Sequence, residues 1–115
     1  MKNQQLESLI IELKKTAIEN DAAVWKRIAI ELEGPTSKRP AVNLSKIDKY
    51  SKVDEIIIVP GKILSMGTLT KKITIAAYSF SGTAVEKIKA SGSKVISIHE
   101  LVRKNPKGQK MRIIE

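Results

Sequence analysis

Apolar residues in the first third of the chain recur with the spacing of two amphipathic helices. The first predicted helix ends near Asn20 and buries residues at i, i+4, i+7 and i+11, namely Leu6, Ile10, Leu13 and Ala17. The second begins after Asp21, a candidate N-cap, and ends before Gly34-Pro35; its apolar residues are Trp25, Ile28, Ala29 and Leu32. Because the link is short, we expect an antiparallel helical hairpin over residues 1–33. Trp25 is expected in its core, with base stacking as the alternative.

The middle of the chain has the period of β-strands. Glu55 to Val59 contains four consecutive β-branched residues, which predicts a buried strand that ends at Pro60-Gly61. A shorter apolar step follows at residues 63–64, before a turn at Gly67. Ile73 to Tyr78 predicts a second strand, whose alternate residues point to opposite faces of a sheet.

A helix and two further strands are predicted after these. Ser81 is placed to cap a helix over residues 82–91, and Gly92 sits where a left-handed residue would end it. Val95 to Ile98 predicts a third buried strand, and a last short strand is indicated by the alternation of Met111, Ile113 and Ile114. The strand-strand-helix order predicts a fold of the α/β class.

Length and composition restrict the class of protein. A chain of 115 residues is expected to form one domain. It has no cysteine and one histidine, which excludes disulfides and thiolate metal sites and leaves little for any other metal. No cofactor is expected. The sequence lacks an apolar run near 18 residues and a signal-peptide pattern at its N-terminus, so we expect a soluble, cytoplasmic protein.

The positive charge is unevenly distributed. The chain has 21 basic and 12 acidic residues, a net charge of +9. Residues 1–33 carry five basic and six acidic groups, whereas residues 34–115 carry sixteen and six, so the whole surplus lies in the second part. This asymmetry favours a polyanionic partner, with nucleic acid first among them. A basic surface that serves only solubility is the alternative.

Residues 34–46 are basic and rich in proline. Two prolines flank Ser37-Lys38-Arg39, and Pro40 biases Arg39 toward an extended backbone. We expect a stiff, extended segment that lies along a phosphate backbone rather than in a core. A plain connector is the alternative. Ser45 is then placed to cap a short helix.

Basic residues also cluster in a loop before the second strand and in the segment from Arg103 to Arg112, which has five basic and no acidic residues. The predicted RNA-binding residues are Lys38, Arg39, Lys46, Lys62, Lys71, Lys72, Arg103, Lys104, Lys107, Lys110 and Arg112. If about eight phosphates are neutralised, log affinity should fall with log salt at a slope of roughly −6 to −7.

Catalytic patterns are weak. Pro60-Gly61-Lys62 lacks the order of a P-loop, and Asp54 and Glu55 would face opposite ways on a strand. His99 has no evident catalytic partner. We therefore predict no enzyme and no small-molecule substrate. With few aromatic residues for base stacking, shape recognition of folded RNA is favoured. The competing function is a protein–protein adaptor that binds through the helical hairpin.

Two long segments are similar to the ribosomal protein L eighteen-e family, which is related to bacterial ribosomal protein L fifteen. They are Lys38 to Ile47 and Gly67 to Ala77, the latter followed by Phe80-Ser81 and Glu86-Lys87-Ile88. The stretch from Asn105 to Arg112 is similar too, and the short length resembles the archaeal form. Ser65 and Ser91 depart from the family pattern at turns.

The resemblance implies an irregular β-β-α superhelix after an N-terminal helical part. It also implies binding to large-subunit ribosomal RNA and to neighbouring ribosomal proteins in the cytoplasmic ribosome. Within a single domain we expect a hairpin (1–33), an extended basic segment (34–46), an α/β core (47–102) and a basic C-terminal segment (103–115).

Overall fold

The computed structural model describes residues 4–115. The helices are α1 (Gln4–Glu19), α2 (Ala23–Glu33), α3 (Leu44–Tyr50), α4 (Gly82–Ala90) and α5 (Ile98–Lys104). The strands are β1 (Ala41–Asn43), β2 (Ile56–Leu64), β3 (Thr74–Phe80), β4 (Lys94–Ser97) and β5 (Met111–Ile113). These elements form two compact units: a helical unit, up to Arg39 together with His99–Gln109, and a sheet unit, Pro40–Ile98 with Lys110–Glu115. The predicted α/β class is confirmed. The expected four-part division of the chain stays a prediction.

The helical unit contains the predicted hairpin of α1 and α2; residues 1–3 of that prediction lie outside the described residues. The buried residues of α1 and α2 include every apolar position that the spacing indicated. Trp25 is completely buried, and its Nε1 donates to the main-chain oxygen of Pro106 at 2.9 Å. The prediction that Trp25 belongs to the core is therefore confirmed, since its indole is buried with its only polar atom bonded.

The predicted cap of α2 is wrong. Ala22 occupies the N-cap position and provides no side-chain hydrogen bond. Asp21 lies one residue earlier with φ of 49°, a left-handed conformation that aspartate tolerates better than most residues. Asp21 therefore forms the turn between the helices instead of capping the second one.

One parallel sheet organises the sheet unit. Strand β3 runs along one side of β2, and β4 pairs with β3. The other side of β2 is shared: β1 pairs with residues 62–64, and β5 pairs with residues 56–58. Ile57, Ile58 and Val59 are completely buried, so both faces of β2 are covered, as is usual for parallel strands.

The prediction that the first strand ends at Pro60-Gly61 is wrong. Strand β2 continues through both residues to Leu64, with a shift of register against β3 between Val59 and Lys62. Proline is tolerated within a sheet at such a bulge. Gly61 is required by close packing, because a Cβ there would lie 2.0 Å from the main-chain oxygen of Pro40.

Residues 34–46 are less extended than expected, and part of the segment joins a core. A 3-10 turn occupies Thr36–Lys38, followed by strand β1. Val42 and Leu44 are buried, which contradicts the expectation of a segment outside the core. The predicted cap Ser45 is wrong as well, since Asn43 occupies the N-cap position of α3.

The strand-strand-helix unit is confirmed by β2, β3 and α4. Ser81 is the N-cap of α4, and its Oγ accepts from the Ala84 amide at 3.2 Å. Gly92 adopts φ of 84° after the helix, as predicted. Core residues from both strands and α4 pack in one cluster, which includes Ile57, Val59, Ile63, Ile75, Ala77, Ala84 and Ile88. The core therefore fixes the loops that carry the basic residues.

Candidate nucleic-acid interface

The sheet unit carries most of the excess positive charge. It has eleven basic and five acidic residues, a net of +6, against ten and seven for the helical unit, a net of +3. The asymmetry along the sequence therefore persists between the two folded units. This net charge favours the sheet unit for contact with a polyanion.

Five predicted residues are exposed lysines with no side-chain partner among residues 4–115: Lys38, Lys62, Lys72, Lys107 and Lys110. Three of them are placed by an element boundary or a strand. Lys38 ends the 3-10 turn, Lys62 lies on β2 after its bulge, and Lys72 precedes β3. Ammonium groups of this kind remain hydrated and can bind a phosphate without first breaking an internal contact.

Three predicted residues donate to main-chain carbonyls. The Arg39 guanidinium donates to the oxygen of Leu32 at 3.0 Å, near the end of α2. The Lys71 ammonium donates to the oxygens of Asp48 at 2.5 Å and Ser51 at 2.7 Å, at the end of α3. Lys46 donates to the main-chain oxygen of Glu115. Arg39 and Lys71 thus satisfy carbonyls at the negative ends of two helices, which is a structural role.

The last three predicted residues form ion pairs. Arg103 Nε lies 3.0 Å from Glu12 Oε1, and Lys104 Nζ lies 3.2 Å from Glu100 Oε1. Both basic side chains are 67% exposed, so these pairs contribute little to stability and can be exchanged for a phosphate at small cost.

Arg112 is bound more firmly. Its Nε and Nη2 donate to both oxygens of Glu55 at 3.0–3.1 Å. The hydrogen bond from Arg112 lowers the pKa of Glu55 despite partial burial, and Glu55 in turn raises the pKa of Arg112. A two-pronged pair of this geometry is among the stronger polar contacts in proteins. Arg112 therefore holds β5 beside the start of β2.

Two further lysines were not predicted. Lys87 donates to the main-chain oxygens of Ser65 at 2.8 Å and Gly67 at 3.2 Å, and so fixes the loop after β2. Lys94 is exposed and begins β4, directly opposite Thr74 in the sheet register. In the sequence, Lys72 and Lys94 each directly precede a predicted strand. If those two strands had been predicted to be parallel neighbours, the two lysines would have been expected to lie close together.

Within residues 4–115, no group of three or more histidine, aspartate or glutamate residues is arranged to hold a metal ion. None of the helices described there is long and apolar enough to cross a membrane. His99 Nε2 lies 2.5 Å from Glu12 Oε2, next to Arg103, on the surface of the helical unit.

Comparison with known proteins gives a consistent result. Residues 4–115 match the family described as "Ribosomal protein 60S L18 and 50S L18e". The chain is 41% identical over 112 residues to the large ribosomal subunit protein eL18 of Methanococcus maripaludis, covering 97% of this chain and 93% of the relative. It is 44% identical to that of Methanoregula boonei, with the same coverage of both chains. It is 42% identical to that of Haloarcula marismortui, covering 97% and 96%.

These archaeal relatives are named as large ribosomal subunit proteins, in agreement with the prediction that the chain is not an enzyme. The resemblance drawn from residues 38–47 and 67–77 is thereby confirmed over nearly the whole chain. The protein belongs to the ribosomal protein 60S L18 and 50S L18e family.

Proposed function

We propose that this chain is a structural constituent of the large ribosomal subunit, located in the cytoplasmic ribosome, and that it stabilises folded ribosomal RNA through phosphate contacts. Family membership supports the assignment to the large ribosomal subunit. The five exposed lysines, which have no side-chain partner among residues 4–115, support contact with RNA phosphates. Its partners are large-subunit ribosomal RNA and neighbouring ribosomal proteins. The protein performs no chemistry in this role.

The eleven predicted residues contribute unequally in this proposal. The five exposed lysines bind phosphates directly. Arg103 and Lys104 bind after exchanging weak surface ion pairs. Arg39, Lys46, Lys71 and Arg112 chiefly hold the chain in the conformation that presents the others, because each already donates a hydrogen bond to a protein acceptor.

A salt titration of binding to large-subunit ribosomal RNA tests the proposal. If the five exposed lysines, Arg103 and Lys104 each neutralise a phosphate, the plot of log affinity against log salt has a slope of roughly −5 to −6. A slope nearer about −4 means that only the five exposed lysines bind and that Arg103 and Lys104 keep their ion pairs. A slope close to zero rejects phosphate binding altogether.

A protein-binding role for the helical hairpin is the second candidate, and one observation favours it. Three isoleucines of the hairpin are largely exposed: Ile11 by 67%, Ile18 by 83% and Ile30 by 56%. Ile11 and Ile18 are seven residues apart on α1 and therefore share a face. Such a face suits contact with a neighbouring ribosomal protein.

A pull-down from nuclease-treated ribosomal extract tests this second candidate. The unaltered chain is expected to retain a ribosomal protein, and the double variant Ile11→Ser, Ile18→Ser to lose it. Retention only before nuclease treatment rules the hairpin out as a protein-binding surface and leaves RNA as the bridge.

A further inference from the structure

A wide-mouthed pocket lies where β3 and β4 begin. It encloses about 270 Å³ and is lined by Asp54, Lys72, Ile73, Thr74, Gly92 and Lys94. Lys94 was not among the predicted RNA-binding residues. The pocket lies within the sheet unit and takes residues from three separate segments of the chain.

Main-chain hydrogen bonds fix these segments against one another. The Asp54 amide donates to the oxygen of Lys72 at 3.0 Å, and the Lys94 amide donates to the oxygen of Ile73 at 3.0 Å. Gly92, with φ of 84°, lets the stem of Lys72 lie across it, since a Cβ there would be 3.3 Å from Lys72 Cε. The backbone positions of the three charged residues are thus fixed relative to one another.

The polar groups of the pocket remain available to a ligand. Asp54, Lys72 and Lys94 are all exposed, and none has a side-chain hydrogen bond or ion pair with another of residues 4–115. Two ammonium groups attract a phosphate. The carboxylate of Asp54 repels one, so a bare phosphate does not account for the whole set.

A ribonucleotide satisfies all three groups. Lysines donate to phosphate oxygens, and a carboxylate accepts from a hydroxyl. The ribose 2′-hydroxyl is the donor that distinguishes RNA from DNA. We propose that this pocket binds one nucleotide of ribosomal RNA, with Lys72 on one of the two phosphates that flank it, Lys94 on the other, and Asp54 accepting from its 2′-hydroxyl. This inference rests on the proposed function and adds a site that selects RNA over DNA.

Removing the Asp54 carboxylate is expected to change the affinity for RNA and the affinity for DNA differently. Asp54 has φ of 65°, so Asp54→Gly removes the side chain without straining the backbone. For a ribonucleotide, the variant loses an accepted hydrogen bond and binds large-subunit ribosomal RNA about tenfold more weakly. Its affinity for single-stranded DNA is unchanged or higher, because a repulsive charge has gone. Stronger binding of both nucleic acids overturns the role of Asp54.

Asp21→Gly is the matched control. Asp21 is also an exposed aspartate at positive φ, in the helical unit, and its removal changes the net charge by the same amount. This variant should not weaken RNA binding. Equal weakening in both variants means that the effect of Asp54→Gly does not come from the pocket, and overturns the inference.

The lysine is tested by the salt dependence. Lys94→Ala should make the slope of log affinity against log salt shallower by about 0.7 to 0.9, whereas Lys89→Ala, on the exposed surface of α4, leaves it unchanged. An unchanged slope in Lys94→Ala, with a steep slope in the unaltered chain, refutes the pocket and leaves the proposed function standing. A flat slope in the unaltered chain refutes both.

Discussion

At the scale of single residues, Gly61 shows how closely two strands approach. The Lys62 amide donates to the main-chain oxygen of Pro40 at 3.0 Å, which draws the chain before β1 against β2. A side chain at position 61 would have to occupy the space of that oxygen. Gly61 is thus present for space, since the structure assigns it no positive φ.

Gly61→Ala is expected to lower the free energy of unfolding by about 1–3 kcal/mol, because Pro40 must move away and the pairing of β1 with β2 weakens. Urea unfolding measures the change. Gly82→Ala is the control: no atom lies within 4 Å of the added Cβ, and position 82 is helical, so stability should be unchanged or slightly higher. Equal stability of the two variants contradicts the steric role.

The Glu55–Arg112 pair makes stability depend on pH. Its hydrogen bonds lower the pKa of Glu55 in the folded protein below the ordinary value of 4.5. A carboxyl group whose pKa is lowered by folding stabilises the protein when the pH is above the pKa of that group in the unfolded chain. This contribution is lost as the pH falls through the pKa of the group in the folded protein. Glu55→Gln should therefore be less stable than the unaltered chain at pH 7, with a smaller difference at pH 3.

Urea unfolding at the two pH values measures this difference. Glu86→Gln, which alters an exposed glutamate of α4, should leave stability unchanged at pH 7. If Glu55→Gln lowers the free energy of unfolding by the same amount at pH 7 and at pH 3, ionisation of Glu55 is not the cause of the difference.

The sequence predicts the role of a single residue correctly where that role depends on neighbours close in the chain. Ser81 lies three residues from the amide that it caps, and Gly92 ends the helix that precedes it. The partners of basic residues are not local: Lys71 bonds to residues 20 and 23 positions away, and Arg112 to one 57 positions away. Sequence alone therefore identified the basic residues but could not separate those that support the fold from those that remain exposed.

At the scale of elements, the short helix α3 depends on a residue outside it. Its C-terminal carbonyls, which cannot bond within the helix, accept from Lys71 in the loop before β3. The same loop is held by Asp48, whose Oδ1 accepts from the Thr70 amide at 2.7 Å. Helix and loop thus stabilise each other.

Lys71→Met keeps the alkyl chain and removes the ammonium group. The loss of two charged hydrogen bonds should lower the free energy of unfolding by about 1–3 kcal/mol, which urea unfolding measures. Lys62→Met, at an exposed lysine with no side-chain partner among residues 4–115, should change it by less than about 0.5 kcal/mol. Unchanged stability in Lys71→Met, with weaker RNA binding, would assign Lys71 to phosphate contact instead.

Periodicity predicted the elements better than their limits. The two apolar steps at residues 55–59 and 63–64 form one strand, because a bulge accommodates Pro60 and Gly61. Pro60 and Gly61 predict the end of a strand when only their neighbours are considered. The continuous strand depends on close packing against Pro40, some twenty positions earlier, which the local sequence does not show. The same distant pairing turns part of the basic segment into β1.

At the scale of the whole molecule, the distribution of charge matters more than its sum. One double variant carries Lys62→Ala and Lys72→Ala, and a second carries Lys15→Ala and Lys26→Ala. Both variants have a net charge of +7. Only the first removes proposed phosphate contacts, so its slope of log affinity against log salt should be shallower by about 1.4 to 1.8. The second pair, on the exposed surface of the hairpin, should behave like the unaltered chain.

Filter binding to large-subunit ribosomal RNA over a range of salt concentrations measures both slopes. Equal loss in the two double variants would mean that RNA responds to net charge alone, without a defined surface. The sequence had already indicated a charge-balanced hairpin and a basic remainder. It could not indicate the pocket beside β4, which exists only once three distant segments are aligned.

The sharing of one side of β2 by two strands has a consequence for self-association. A long exposed strand edge is a template for pairing with other chains. Here β1 and β5, each of three residues, divide that side of β2 between them, and β4 on the far side has four residues. The described part of the sheet therefore offers only brief, interrupted edges, and newly made copies awaiting assembly should resist stacking into fibrils.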